Sequence, residues 1–157
     1  MGKGLALQFK HRFPANFRAY AEACLFGKVR IGSMHVTEIA SQLQQRLELK
    51  DQPTVGLLGP RYLINFPTKK HWRDPSQLEY VRLGLTALVG EIRARSIRSI
   101  AVPPLGCGNG GLAWTAVRPL IEHAMCELPE VRVVVFSPSE IPDKLSSCAC
   151  TLPVRTQ

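Results

Sequence analysis

Apolar residues recur along the chain at two spacings, and the switching between them predicts an order of elements. Leu5, Ala6, Phe9, Phe13, Phe17, Tyr20, Ala21 and Cys24 follow the three-and-four spacing of a helix face. Pro14 falls inside this run and has no N–H to give to the preceding turn, so two helical pieces are expected, with a break there. Gly27 closes the second piece. Weak alternation over Val29 to Ile39 predicts a strand around His35–Ile39. Ala40 to Lys50 is polar around Leu43, Leu47 and Leu49, which fits a short surface helix or an inserted loop. Asp51 to Pro60, with two prolines and two glycines, reads as a connection. Arg61 to Phe66 is a strand that Pro67 ends, and Thr68 to Arg73 follows as a basic, aromatic loop. Asp74-Pro75 then starts a helix, with Ser76 as an alternative cap. Its stripe is Leu78, Val81, Leu85, Leu88, Val89 and Ile92.

The strand Ile97–Val102 leads into Gly106, Gly108, Gly110 and Gly111 and then into a second amphipathic pattern: Leu112, Val117, Leu120, Ile121, Ala124, Leu128. Val131 to Phe136 is a β-branched run suited to a strand buried on both faces. Beyond Pro138 the polar tail with Pro142 and Pro153 is expected to be loosely held. Strands alternating with helices give an α/β class with a mixed or parallel central sheet.

Charge changes this picture only by favouring a polyanionic partner. The 157 residues carry a formal net charge of +8. Five cysteines, Cys24, Cys107, Cys126, Cys148 and Cys150, are odd in number and scattered, with no zinc spacing. Reduced thiols in a cytoplasm are the simplest reading. No signal peptide and no apolar run of membrane-spanning length is found, so no metal and no membrane partner are expected.

Strand, glycine loop and helix start form the arrangement that aims backbone N–H groups at a phosphate. Gly106-x-Gly108-x-x-Gly111 formally fits the dinucleotide fingerprint, yet it lies two-thirds of the way along the chain. The acid wanted after the next strand is replaced by Phe136-Ser137-Pro138, which disfavours a nicotinamide oxidoreductase. A P-loop is excluded because Leu112-Ala113 stands where Lys-Ser/Thr should be. Four glycines nevertheless exceed what a turn needs, so a phosphate-bearing ligand is expected.

Three blocks in order carry a family resemblance: Met1-Gly2-Lys3-Gly4-Leu5-Ala6-Leu7-Gln8-Phe9-Lys10, Asn65-Phe66-Pro67-Thr68-Lys69-Lys70-His71-Trp72-Arg73, and Pro103-Pro104-Leu105-Gly106-Cys107-Gly108-Asn109-Gly110-Gly111-Leu112. They resemble the macrodomain, and more narrowly its DarG antitoxin branch, related to the terminal ADP-ribose glycohydrolase of animals. The resemblance covers almost all of residues 1–138. It implies a three-layer α/β/α macrodomain with a mixed central sheet over 1–138, followed by the tail 139–157. It implies removal of ADP-ribose from thymidine bases of single-stranded DNA, reversing a DarT-type toxin. No cofactor is implied, ADP-ribose being ligand and product, and the expected state is a cytoplasmic monomer.

On that resemblance the diphosphate lies between two glycine loops. Gly2, Lys3, Gly4 and Leu5 form one. Pro104, Leu105, Gly106, Cys107, Gly108, Asn109, Gly110, Gly111 and Leu112 form the other, with Thr68 beside the ligand. Lys69 matches the lysine that the branch places at the distal ribose. Its amine would attack C1″ in a glycosidic cleavage that passes through an oxocarbenium-like state. Adjacent side chains of an extended segment diverge, so only one of Lys69 and Lys70 can face the cleft. The aspartate that the animal relative carries in the second glycine loop is replaced by Gly110, and Asn109 either bonds the ribose or is a left-handed turn residue.

His71, Trp72 and Arg73 are candidate nucleic-acid contacts. Trp72 either stacks on a base or packs beneath its own loop, and apart from the family match Lys69–Arg73 reads as a solvated basic loop. Lys3, Lys10, His11 and Arg12 are candidates for DNA phosphates, or plain exposed helix charge. Trp114 is expected in the core, and Cys107 as a small packing residue. In macrodomains a segment before the first glycine loop supplies a sheet strand, an acid at adenine and an asparagine at the distal ribose. The chain begins at that loop, so a sheet short of its first strand and weakened ADP-ribose binding are expected. The competing class is a binding module that reads ADP-ribose without cleaving it.

Overall fold

Pro14 does set the first boundary. In this computed structural model, which describes residues 4–39 and 60–138, helix α1 runs Gly4–Arg12 and α2 runs Pro14–Leu25. Pro14 occupies the first helical position of α2, where its missing N–H costs nothing. Gly27 ends α2 in a left-handed conformation, φ 66°, while Lys28 N–H reaches back to the Ala23 carbonyl at 2.9 Å and Gly27 N–H to Cys24 at 3.1 Å. That pair of bonds is the Schellman closure.

The described chain divides into two units. The first comprises Met1–Val29 and Met34–Phe66, and the second Arg30–Ser33 with Pro67–Gln157. The helix-or-loop segment and connection expected over 40–59, and the tail expected over 139–157, lie outside the described residues, as do the first three residues.

In the first unit, β1 (His35–Glu38) pairs antiparallel with β2 (Tyr62–Asn65), with His35 opposite Asn65 and Glu38 opposite Tyr62. The contact of α2 with these strands is partly polar. Asn16 on α2 is only 3 % exposed and exchanges amide hydrogen bonds with Asn65, at 2.9 and 3.2 Å. Asn65 Nδ2 also donates to the His35 carbonyl at 3.1 Å. The Tyr20 ring meets the His35 ring edge-on at 5.5 Å. Burial, helped by Cys24, pushes the Tyr20 phenol up to about 12.

The second unit holds most of the buried apolar residues. Helix α3 spans Leu78–Ala94, β3 Ser99–Val102, α4 Trp114–Cys126 and β4 Arg132–Val135. Strands β3 and β4 pair in parallel, Ser99 against Arg132 and Val102 against Val135, so β3-α4-β4 is a crossover unit. Helices α3 and α4 pack on each other. Val81, Leu85, Leu88, Val89 and Ile92 are buried from α3, and Val117, Ile121, Ala124 and Met125 from α4. Both stripes expected from the spacing are therefore the buried faces, except that Leu78 is exposed and Leu112 and Leu120 are half-buried.

Three expectations need correction. Helix α3 begins at Leu78 rather than at Asp74-Pro75, because Gln77 is extended (φ −123°, ψ 141°) and Ser76 is bonded elsewhere. Helix α4 begins at Trp114, not Leu112, because Gly111 is left-handed (φ 79°) and Ala113 extended. Trp114 is accordingly the first helical residue and only half-buried. Strand β4 is half-buried rather than buried on both faces; among the described residues it has one neighbour, β3.

Two outcomes follow from this packing. Ile121 is fully buried between the elements of the second unit, so Ile121→Ala should lower stability by about 2–5 kcal/mol, read as a lower urea midpoint at unchanged slope. Tyr20 keeps its proton in the folded chain to about pH 12 but loses it near the ordinary value of 10 when unfolded. Unfolding between those values releases a proton, so Tyr20 favours folding fully below pH 10 and loses that contribution as pH rises to 12. Tyr20→Phe should show a shallower alkaline loss of stability than the parent in urea titrations at pH 9 to 12.

Candidate functional site

The loop that follows β3 is built by turning its own amides inward. Pro103 and Pro104 stop the strand, and Phe136 N–H takes the last β3 carbonyl, Val102, at 2.9 Å. Cys107 N–H then donates to Pro104 at 3.2 Å, Leu112 N–H to Gly106 at 3.1 Å, and Gly111 N–H to Gly108 at 2.9 Å. Gly108–Gly110 form a single 3-10 turn. The expectation that the whole loop presents N–H groups to a phosphate is thus narrowed: the amides of Cys107, Gly111 and Leu112 are spent within the loop, and those of Gly108 and Asn109 carry none of these bonds. The loop, whose Leu105 is buried, is a coil of Pro103 to Ala113 rather than a direct helix entry.

Ser76, in the segment before α3, is the side chain that fills this coil. It is 5 % exposed. Its N–H donates to the Gly110 carbonyl at 2.9 Å, and its hydroxyl hydrogen-bonds the Thr68 hydroxyl at 3.2 Å. A Cβ at Gly106 would stand 2.7 Å from Leu112 Cδ1 and 3.1 Å from Ser76 Cβ, besides requiring φ 71° of a side-chain-bearing residue. A Cβ at Gly110 would collide with the Ser76 hydroxyl. These two positions are glycine because another segment approaches there. Ser76 is the residue that reasoning from the sequence placed wrongly, as a cap. A polar residue after Asp74-Pro75 looks like one, and nothing in its local pattern reveals a partner 34 residues away.

Thr68 and Lys69 meet the same coil. The Lys69 amine donates to the Asn109 carbonyl at 2.8 Å. Lys70 diverges, as an extended segment requires, and its amine lies 5.6 Å from the Tyr80 ring. Asn109 does not adopt the left-handed conformation; positive φ angles in the loop fall on Gly106, Gly108 and Gly111. The turn alternative for Asn109 is thereby removed. Burial pushes the Cys107 thiol up and its sulfur lies 3.8 Å from the Leu105 carbonyl, which fits the packing role and not a nucleophile.

Beyond Lys69 the chain turns through an Asp74 N–H to His71 carbonyl bond of 3.1 Å. Trp72 is 74 % exposed, so the alternative of packing beneath its loop is wrong. Its indole carries the Arg73 guanidinium at 4.6 Å on one side and contacts the exposed His71 ring at 5.6 Å. The result is an exposed aromatic and cationic surface beside the lysine in sequence.

Of the other expected site residues, Gly2 and Lys3 lie outside the described residues. Gly4 and Leu5 open α1 in the first unit, Gly4 with φ 58°. On the same helix Lys10 lies 4.4 Å over the Phe17 ring, while His11 and Arg12 are exposed. Thr68, Lys69 and the loop from Pro104 to Leu112 all belong to the second unit. Among the described residues no cluster of His, Cys, Asp and Glu could hold a metal ion, and no helix is long and apolar enough to cross a membrane.

Comparison with known proteins agrees with this geometry. The Macro domain family model matches residues 1–121. The DNA ADP-ribosyl glycohydrolase of Mycobacterium tuberculosis is 48% identical over 139 residues, covering 88% of this chain and 35% of that protein. The chain spans about a third of the length of the curated relatives it matches. The solved macrodomain of Mycobacterium tuberculosis DarG superposes with a TM-score of 0.76 at 48% identity, over 88% of this chain and 81% of that one. A Thermosipho africanus DNA ADP-ribosyl transferase–DNA ADP-ribosyl glycohydrolase fusion protein is 34% identical over 145 residues, 91% of this chain and 37% of its own length. The structure of Thermosipho africanus DarTG in complex with ADP-ribose gives a TM-score of 0.69 at 31% identity, over 90% of this chain and 36% of that one. An inward-coiled glycine loop, a lysine against it and this degree of likeness lead to one assignment: the chain belongs to the macro domain family, in its DarG branch.

Proposed function

We propose that the chain is the ADP-ribosyl glycohydrolase part of a DarG-type antitoxin, releasing ADP-ribose from thymidine bases of single-stranded DNA. The observation that carries this is the Lys69 amine held 2.8 Å from the Asn109 carbonyl of the glycine loop. A nucleophile is thereby fixed beside the segment on which a diphosphate would rest. ADP-ribose binds with its diphosphate against the amides of Gly108 and Asn109 in the glycine coil. The Lys69 amine attacks C1″, the C1″–N bond breaks, and the base leaves with the bonding electron pair and takes up a proton. Water then hydrolyses the lysine adduct, freeing ADP-ribose and restoring the amine. The balance needs one water and no cofactor.

The base and its neighbours along the strand meet His71, Trp72 and Arg73, where the indole face offers stacking and the guanidinium offers charge. The enzyme's counterpart is a DarT-type transferase, which the Thermosipho africanus relative carries in the same polypeptide. A cytoplasmic monomer without a membrane partner suits a chain acting on DNA. The alternative, a module that binds ADP-ribose without cleaving it, draws on Gly110, where no acid stands and none would fit.

Two measurements test this. With an ADP-ribosylated oligonucleotide, release of ADP-ribose should fall by about 100-fold or more in Lys69→Ala, as for a lost nucleophile or base. Binding of the oligonucleotide by both proteins with release by neither would overturn the hydrolase in favour of the binding module. Trp72→Ala should weaken binding of single-stranded oligonucleotide by roughly 1–3 kcal/mol, as removal of one stacking platform does. Its affinity for free ADP-ribose, followed by calorimetry, should stay unchanged.

A further inference from the structure

We propose that Ser76 is a positioning residue for Lys69, acting through Thr68 and through the peptide that follows Asn109. The assignment rests on the hydrolase reading above and extends it to a residue that touches neither ligand nor DNA in that reading.

The contacts close a ring. Ser76 N–H holds the Gly110 carbonyl at 2.9 Å. Gly110 follows Asn109, whose carbonyl accepts the Lys69 amine at 2.8 Å. Lys69 follows Thr68, whose hydroxyl meets that of Ser76 at 3.2 Å. Each end of the lysine is therefore referred to one buried serine: its backbone by the Thr68 contact, and its amine by the orientation of the Asn109–Gly110 peptides. The serine is small enough to occupy the space left by two missing Cβ atoms, at Gly106 and Gly110. Plain packing would need only its Cβ. The hydroxyl adds a hydrogen bond, and among the described residues its partner is Thr68, the residue joined to Lys69. A nucleophile displaced by about an ångström loses rate steeply, on the order of 100-fold.

Ser76→Ala keeps the Cβ and the N–H and removes only the hydroxyl, so it separates positioning from packing. Single-turnover release of ADP-ribose from an ADP-ribosylated oligonucleotide should fall by about 10- to 100-fold, while the dissociation constant for free ADP-ribose stays within about twofold. A second readout does not depend on turnover. Free ADP-ribose exposes an aldehyde at C1″, which condenses with the Lys69 amine with loss of water. Sodium cyanoborohydride supplies the hydride that reduces the resulting imine to a stable amine, and mass spectrometry locates the adduct. Trapping at Lys69 should slow by the same factor in Ser76→Ala.

Thr68→Val removes the same hydrogen bond from its other end without disturbing the glycine coil. It should slow both reactions similarly, and the double variant should be no slower than the slower single one. Should Ser76→Ala not fold, Thr68→Val carries the same expectation for release and for trapping at Lys69. Release and trapping at the parent rate in either variant, or losses that multiply in the double variant, overturn the assignment while leaving the hydrolase standing. A parent protein that neither releases ADP-ribose nor traps it at Lys69 overturns the hydrolase, and this assignment with it.

Discussion

The second unit depends on a close approach between two backbones. Ser76 N–H can reach the Gly110 carbonyl only because neither Gly106 nor Gly110 carries a side chain, and any Cβ there would meet Ser76 or Leu112. A buried backbone carbonyl without a donor costs roughly 1–3 kcal/mol, so the bond is not a dispensable contact. It fixes the loop's crown, and the crown fixes which amides face inward. The coil after β3 therefore behaves as a scaffold held by packing from the segment before α3, rather than as a flexible glycine stretch. The same close approach accounts for the missing acid in the loop: the volume that a side chain at position 110 would need is held by the Ser76 hydroxyl.

What could be read from the sequence, and what could not, divides along the range of the interactions. The faces of α3 and α4 were legible, since burial every three or four residues is written locally, and Val81 to Ile92 and Val117 to Met125 are those faces. Pro14 and Gly27 were legible for the same reason, each acting on the turn in which it sits. The helix starts were not. Ser76 looked like a cap because caps are short polar residues, but its hydrogen bonds go to Thr68 and Gly110, which are close only after folding. Leu112 looked helical because it stands directly before the apolar pattern of Val117, Leu120 and Ile121, but its N–H is turned back onto Gly106. The half-burial of β4 likewise depends on how many strands flank it, which a β-branched run does not encode.

The candidate site followed the same division. That Lys69 is a candidate at the distal ribose came from the resemblance of three blocks; its contact with the Asn109 carbonyl is what the geometry adds. The divergence of Lys69 from Lys70 needed only the alternation of an extended chain. The direction of the loop amides was beyond reach, because composition says that glycine permits close approach without saying what approaches. In the first unit the Asn16–Asn65 amide pair was equally invisible: two asparagines in ordinary polar positions become a partly buried, reciprocally bonded pair only when α2 lies against β1 and β2. Buried polar groups of this kind must be satisfied, so the pair specifies one docking of the helix more sharply than apolar packing does.

The tether on Lys69 suits a group that has to move. Its partner is the Asn109 backbone carbonyl, and among the described residues no carboxylate forms an ion pair with it. A carboxylate partner would hold the amine about twice as strongly, through a charge-assisted bond, and every encounter with substrate would first have to break it. A carbonyl aims the nitrogen at lower cost. The glutamates of the second unit are instead engaged with arginines on exposed helix surfaces, as in Glu79 with Arg82, Glu91 with Arg95 and Glu122 with Arg118. Those pairs contribute little to stability. Placing the charges on the helix surfaces and a neutral acceptor at the loop leaves the amine positioned and yet releasable, as the attack on an anomeric carbon proposed above would require.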